Sequence, residues 1–110
     1  MAKTLDFNRL KKRYITVNLP DENNTTLMIG SPTKAVLDSF LNLKDALTAE
    51  SMGDEAIDEL YHICARIMSR NKAGIVITQE QLEELFDFED ILFFIREYTE
   101  FISELSNSKN

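Results

Sequence analysis

Five consecutive apolar residues, Ile91-Leu92-Phe93-Phe94-Ile95, lie within a C-terminal segment otherwise dense in carboxylates. A helix advances about 100° per residue, so five positions encircle it and no single buried face shelters them all. With Ile91 set at 0°, Ile95, Tyr98, Ile102 and Leu105 fall within roughly 40° of it, with Phe94 and Phe101 on one flank and Leu92 on the other. That is a core stripe. Phe93 falls at about 200°, on the meridian of Glu89, Glu97, Glu100 and Glu104, where a one-sided amphipathic helix carries a polar residue. Two outcomes are open. Either Phe93 is covered within its own domain or is one of the scattered exposed apolar residues of any protein, or the helix docks onto its domain with one face and onto another protein with the other.

At 110 residues, with 44% apolar and 28% charged residues, the chain suits one soluble domain with a single core. No window approaches the roughly 18 apolar residues of a membrane span, and the N-terminus lacks the apolar run of a secretory signal, so a cytoplasmic protein is expected. Cys64 is the sole cysteine, which excludes an intramolecular disulfide and a zinc site built from several thiolates. The net charge of −7 works against nucleic-acid binding, whose affinity comes mainly from clustered Lys and Arg on phosphates. The charge is unevenly spread. Lys3, Arg9, Lys11, Lys12 and Arg13 oppose only Asp6 at the start; Glu80, Glu83, Glu84, Asp87, Glu89, Asp90, Glu97, Glu100 and Glu104 oppose only Arg96 near the end. The two ends either steer one subunit onto the next or serve as solvated faces.

Ile15, Val17 and Leu19 alternate with Tyr14, Thr16 and Asn18, the period of a half-buried strand. Turn chemistry at Pro20-Asp21-Glu22-Asn23-Asn24 joins it to the strand-favouring Thr25-Thr26-Leu27-Met28-Ile29, predicting an antiparallel hairpin over 13–30. A lone hairpin is marginal in water, so it leans on the helices or gains strands from a neighbouring subunit along its open edges.

Ser31 as N-cap and Pro32 at the first helical position predict a helix to about Ala49, with Val36, Phe40, Leu43 and Leu47 on one face. After Ser51-Met52-Gly53 a second helix starts near Asp54, its stripe being Ile57, Leu60, Tyr61, Cys64, Ile67 and Met68. Asn71 and Gly74 are stop signals, and Ile75-Val76-Ile77 reads as a short extended or docking piece. Thr78 and Gln81 form a capping box for a helix carrying Leu82, Leu85 and Phe86. A bend at Asp87 or Phe88 precedes a last helix from about Glu89 to Leu105, and 106–110 should fray. The expected fold is therefore a single small α+β domain: a basic arm over 1–12, the hairpin over 13–30, and about four helices over 31–105.

Chemistry-bearing constellations are sparse. His62, the sole histidine, falls on the polar side of its helix between Asp58 and Arg66, without a nucleophile or ligand pair at suitable spacing. Cys64 lies on the core stripe, where a small buried hydrophobe is expected rather than an activated thiolate. Asp21-x-Asn23-x-Thr25 has calcium-loop spacing at its start, but Thr26 stands where the loop needs Gly and no Glu closes it. The many carboxylates follow helical spacing as solvated faces rather than acid/base pairs. No enzyme, cofactor or metal is expected.

The segments Leu5-Asp6-Phe7-Asn8, Tyr14-Ile15-Thr16-Val17, Thr26-Leu27-Met28-Ile29-Gly30-Ser31-Pro32-Thr33-Lys34 and Leu85-Phe86-Asp87-Phe88-Glu89-Asp90-Ile91, in this order, resemble the tail assembly chaperones of long-tailed bacteriophages and prophages of low-GC Gram-positive bacteria. The resemblance spans nearly the full length but consists of structural segments without a chemical signature. It implies a host-cytoplasmic factor that binds the tape-measure protein, keeps its apolar helices soluble, helps tail-tube subunits assemble around it, and is absent from the finished virion. In many relatives a frameshift appends a second domain. On this view Phe93, with Phe88, is a partner contact within a carboxylate frame that includes Glu97 and Glu100, and self-association is a further expectation. The rival class is an acidic phage-encoded inhibitor whose carboxylate face imitates DNA and blocks a host nucleic-acid-binding protein.

Overall fold

A computed structural model describes residues 3–47 and 53–107. An N-terminal antiparallel hairpin, β1 (Ile15–Asn18) and β2 (Thr26–Ile29), is followed by four helices: α1 (Lys34–Leu47), α2 (Asp54–Met68), α3 (Gln79–Leu85) and α4 (Phe88–Asn107). This is the α+β architecture the sequence predicts. Ile15 pairs with Ile29 and Asn18 with Thr26, a register that buries Leu27 and Ile29 on one face and exposes Thr16, Asn18, Thr26 and Met28 on the other. The alternation therefore reflects a sheet with one wet face.

The hairpin turn is held by Asp21, whose carboxylate accepts from the Thr25 amide at 2.8 Å and the Thr25 hydroxyl at 2.6 Å. Asn24 takes φ 50°, left-handed backbone that its short amide side chain tolerates better than a branched one would. The Asp-x-Asn-x-Thr run is thus a self-satisfied turn.

Two helix starts differ from expectation. For α1, the cap is Thr33 rather than Ser31: the Thr33 hydroxyl accepts from the Val36 amide at 3.4 Å and its carbonyl from Leu37 at 2.9 Å. Gly30 and Ser31 stay outside the helix, and both are tied to Arg70. The Gly30 amide donates to the Arg70 carbonyl at 3.0 Å, and Arg70 Nε to the Ser31 carbonyl at 3.0 Å. The predicted end near Ala49 lies outside the described residues. The last helix begins at Phe88, one residue before expectation, because Asp87 and Asp90 each accept the other's amide at 2.9 Å. This is a capping box with Asp in place of Glu or Gln. At the other end Ser106 and Asn107, expected to fray, continue α4; residues 108–110 lie outside the described residues.

Between α2 and α3 the chain is pinned by polar side chains rather than by strand pairing. Asn71 is buried and fully used: its amide group donates to the Met68 carbonyl at 2.9 Å and the Ile75 carbonyl at 2.7 Å, and its oxygen accepts from the Ile75 amide. Ser69 bonds both the amide and the carbonyl of Ile77, which seats Ile77 in the core and leaves Val76 outside. Gly74, at φ +78°, makes the reversal that a residue with a Cβ would strain. The expected capping box opens α3, with the Thr78 hydroxyl accepting from the Gln81 amide and the Gln81 side chain from the Thr78 amide.

The core centres on Tyr98 of α4, fully buried, with Phe40 edge-on at 5.6 Å, Phe94 stacked at 5.6 Å and Phe101 tilted at 5.8 Å. Its hydroxyl donates to the Gly30 carbonyl at 2.9 Å, so one residue binds the last helix to the end of the hairpin. Burial raises the phenol pKa above its ordinary value, which keeps it a donor at any ordinary pH. Tyr61 plays a smaller version of the same part, donating to the Phe86 carbonyl at 2.9 Å across the α3–α4 corner.

Candidate functional site

The hairpin's two edges are treated differently. Along β2, an isolated bridge joins Ile29 to Asn71, with the Lys72 amide donating to the Met28 carbonyl at 2.9 Å. That edge is closed. Among the described residues β1 pairs only with β2, and its other edge faces α4 across a groove of about 520 Å³. Ile15, Thr16, Val17, Asn18 and Pro20 form one wall; Phe86, Asp90, Phe93, Phe94 and Glu97 form the other. Arg13 lies at 3.9 Å from Glu104 while Pro20 shares the groove with Phe86 and Asp90, so β1 and α4 run in opposite directions.

Phe93 is 57% exposed in this groove, covered on one side by the Arg96 guanidinium, 5.4 Å from the ring centre. Arg96 also lies 3.7 Å from Glu97, so its charge is shared between a ring face and a carboxylate. The resulting surface is apolar at its floor and acidic at its rim, with a strand edge alongside. Unpaired amides and carbonyls there can accept an extended segment, while Phe93 and Val17 offer apolar contact.

Of the four sequence-predicted contact residues, the structure brings Phe93 and Glu97 together in the groove. It does not bring Phe88 or Glu100 there. Phe88, 38% exposed, lies about 140° around the helix from Phe93, and Glu100 is exposed beyond the groove toward the C-terminus. The hairpin's open edges are expected from the period-two pattern as places for added strands, but that β1 forms a wall opposite Phe93 and Glu97 is not legible in the sequence.

A second exposed apolar surface is the N-terminal arm. Residues 3–13 are all exposed and include Leu5 at 71%, Phe7 at 73% and Leu10 at 60%. A short 3-10 turn, Phe7–Arg9, is capped by Asp6, which accepts from the Asn8 amide at 3.0 Å. One surface cavity of the arm is lined by Thr4, Leu5, Asp6, Phe7, Arg9 and Leu10 alone, while Lys12 nearer its root lines another with Tyr14, Gly30 and Arg70.

His62 is exposed on α2, and Cys64 is fully buried, its thiol pushed up to about 12 by desolvation. Among the described residues there is no group of three or more His, Cys, Asp or Glu side chains placed to hold a metal ion, and no helix long and apolar enough to cross a membrane. Comparison with known proteins is silent: no family model, characterised protein or solved structure matches this chain.

Proposed function

We propose that the protein is a binding factor for apolar protein segments, acting as a tail assembly chaperone that holds the tape-measure protein, and with it tail-tube subunits, through the β1–α4 groove. The observation that carries this is Phe93: a large aromatic side chain, exposed on the far side of a helix whose near side supplies the core, set beside an unpaired strand edge. An apolar client segment gains contact area from the ring, and the carboxylates around it disfavour acidic competitors. The choice of client rests on the ordered resemblance of the sequence segments to phage tail chaperones.

Co-expression with candidate tail proteins, followed by co-purification, tests the role. The wild-type chain should retain the tape-measure protein in soluble form, and Phe93→Ser should release it without loss of the chaperone's own fold. Reversing Glu97, Glu100 and Glu104 to Lys should leave client capture measurable. Complete loss on charge reversal, with no loss on Phe93→Ser, would favour the DNA-imitating inhibitor instead. Recovery of the protein from purified virions would refute an assembly-only factor.

A further inference from the structure

We propose that the N-terminal arm of one copy of this chain docks in the β1–α4 groove of a second copy, adding an extended segment along the open edge of β1. Leu5, Phe7 and Leu10 project from the arm without a body to cover them, whereas Phe93 and the β1 wall form an apolar trough without an occupant. Charge matches as well as hydrophobicity. Between residues 3 and 13 the arm carries five cations and one carboxylate, whereas Asp90 and Glu97 line the groove and Glu89, Glu100 and Glu104 follow on the same helix. Opposed charges of this kind speed encounter and fix register more than they add affinity. The chain already makes one such pair at the root of the arm, where Arg13 meets Glu104.

The groove that the arm reaches is a neighbour's and not its own. To lie beside β1 of the same chain, the arm would have to reverse tightly between Leu10 and Tyr14. That stretch, Leu10-Lys11-Lys12-Arg13-Tyr14, has no Gly, Asn, Asp or Pro to make the turn. Leu10 is extended, at φ −66° and ψ 130°, so the chain does not reverse at that residue. The radius of gyration, 15.6 Å against about 13 Å for a compact domain of this length, agrees with a projecting segment. A reversal at Asp6-Phe7-Asn8 would fold 3–5 back onto the arm alone. Because arm and groove are different surfaces, repetition of the contact links copies head to tail, closing as a ring or an exchanged pair or running on as a filament.

The contact uses the groove assigned to client binding but does not need a client. Sedimentation of the full chain over a concentration series should show species above monomer mass, weakening as salt rises. Phe7→Asp with Leu10→Asp, at two exposed positions, should weaken self-association roughly tenfold or more, and Phe93→Ser should do the same from the groove side. Circular dichroism and melting should stay as in the parent for both. Mixing the two variants is the decisive arm: the intact arm of the Phe93→Ser chain fits the intact groove of the Phe7→Asp/Leu10→Asp chain, so the mixture should form mixed pairs where neither variant associates alone. A chain that stays monomeric throughout, a doubly substituted arm that associates as well as the parent, or a mixture that fails to pair would each overturn the inference. Client capture separates the two uses: the arm variant should keep its client. Pairing without any client capture would remove the chaperone role and leave the arm contact standing.

Discussion

Phe93 and Phe94 are adjacent in sequence and opposite in circumstance. Phe94 is buried and stacks on Tyr98, whereas Phe93 is mostly in solvent with an arginine over one face. The two side chains have the same transfer free energy, so hydrophobicity does not separate them. The 100° between successive helical positions does. One face of α4 makes the fold, and the other is free for use, which is why substitutions on the two faces should differ in kind and not merely in degree.

The largest contrast is expected from Tyr98→Ala, which removes the ring at the meeting point of Phe40, Phe94 and Phe101 and should cost about 3–5 kcal/mol in denaturant unfolding. For a small domain this is a large share of total stability. Tyr98→Phe keeps the ring but orphans the Gly30 carbonyl, and should cost about 1–2 kcal/mol. Phe93→Ser should shift stability by no more than about 0.5 kcal/mol, as at other exposed sites, while binding is lost. A stability loss at Phe93 matching that at Tyr98 would erase the distinction between the faces.

Cys64 offers a way to read the inner face without unfolding the protein. Buried, with its pKa raised from 9.0 to about 12, it should be alkylated in the native state only through opening of the core. Thiol-labelling rates should rise for Tyr98→Phe and stay unchanged for Phe93→Ser. The smallest effect is expected at a control site away from both faces. Hydrogen bonds from Thr25 hold the Asp21 carboxyl below its ordinary 3.8. Its folded pKa is thus lower than its unfolded one, so its contribution is present above about 3.8 and lost as pH falls through the folded value. Asp21→Asn should flatten that acid-side slope slightly in pH-dependent melts without altering the core.

Much of this was legible from residue order. The hairpin, the start of α2 after Gly53, the Thr78–Gln81 cap and the stripe Ile91, Ile95, Tyr98 all follow from local periodicity and cap chemistry, and each recurs in the structure. What was not legible depends on distant partners. Ser31 is a sound cap by composition, yet Arg70, 39 residues on, claims its carbonyl and moves the helix start to Thr33. Asn71 read as a stop signal; that it also closes the edge of β2 depends on the meeting of Ile29 with a segment far along the chain. For the site, rotation about α4 marked Phe93 as a misfit but gave no means of knowing that β1 would lie opposite it. Phe88 and Phe93 are not brought together by the structure, since the two sit on different sides of the helix.

The bond from Tyr98 to Gly30 spans 68 residues. During synthesis the hairpin is made first, and the aromatic cluster that supports it is complete only once Phe101 has been added. A product ending between Met68 and Tyr98 would therefore keep the packing of β2 on α2 but lack the tie from Gly30 to α4, and docking of the last helix should wait until Tyr98 has been made.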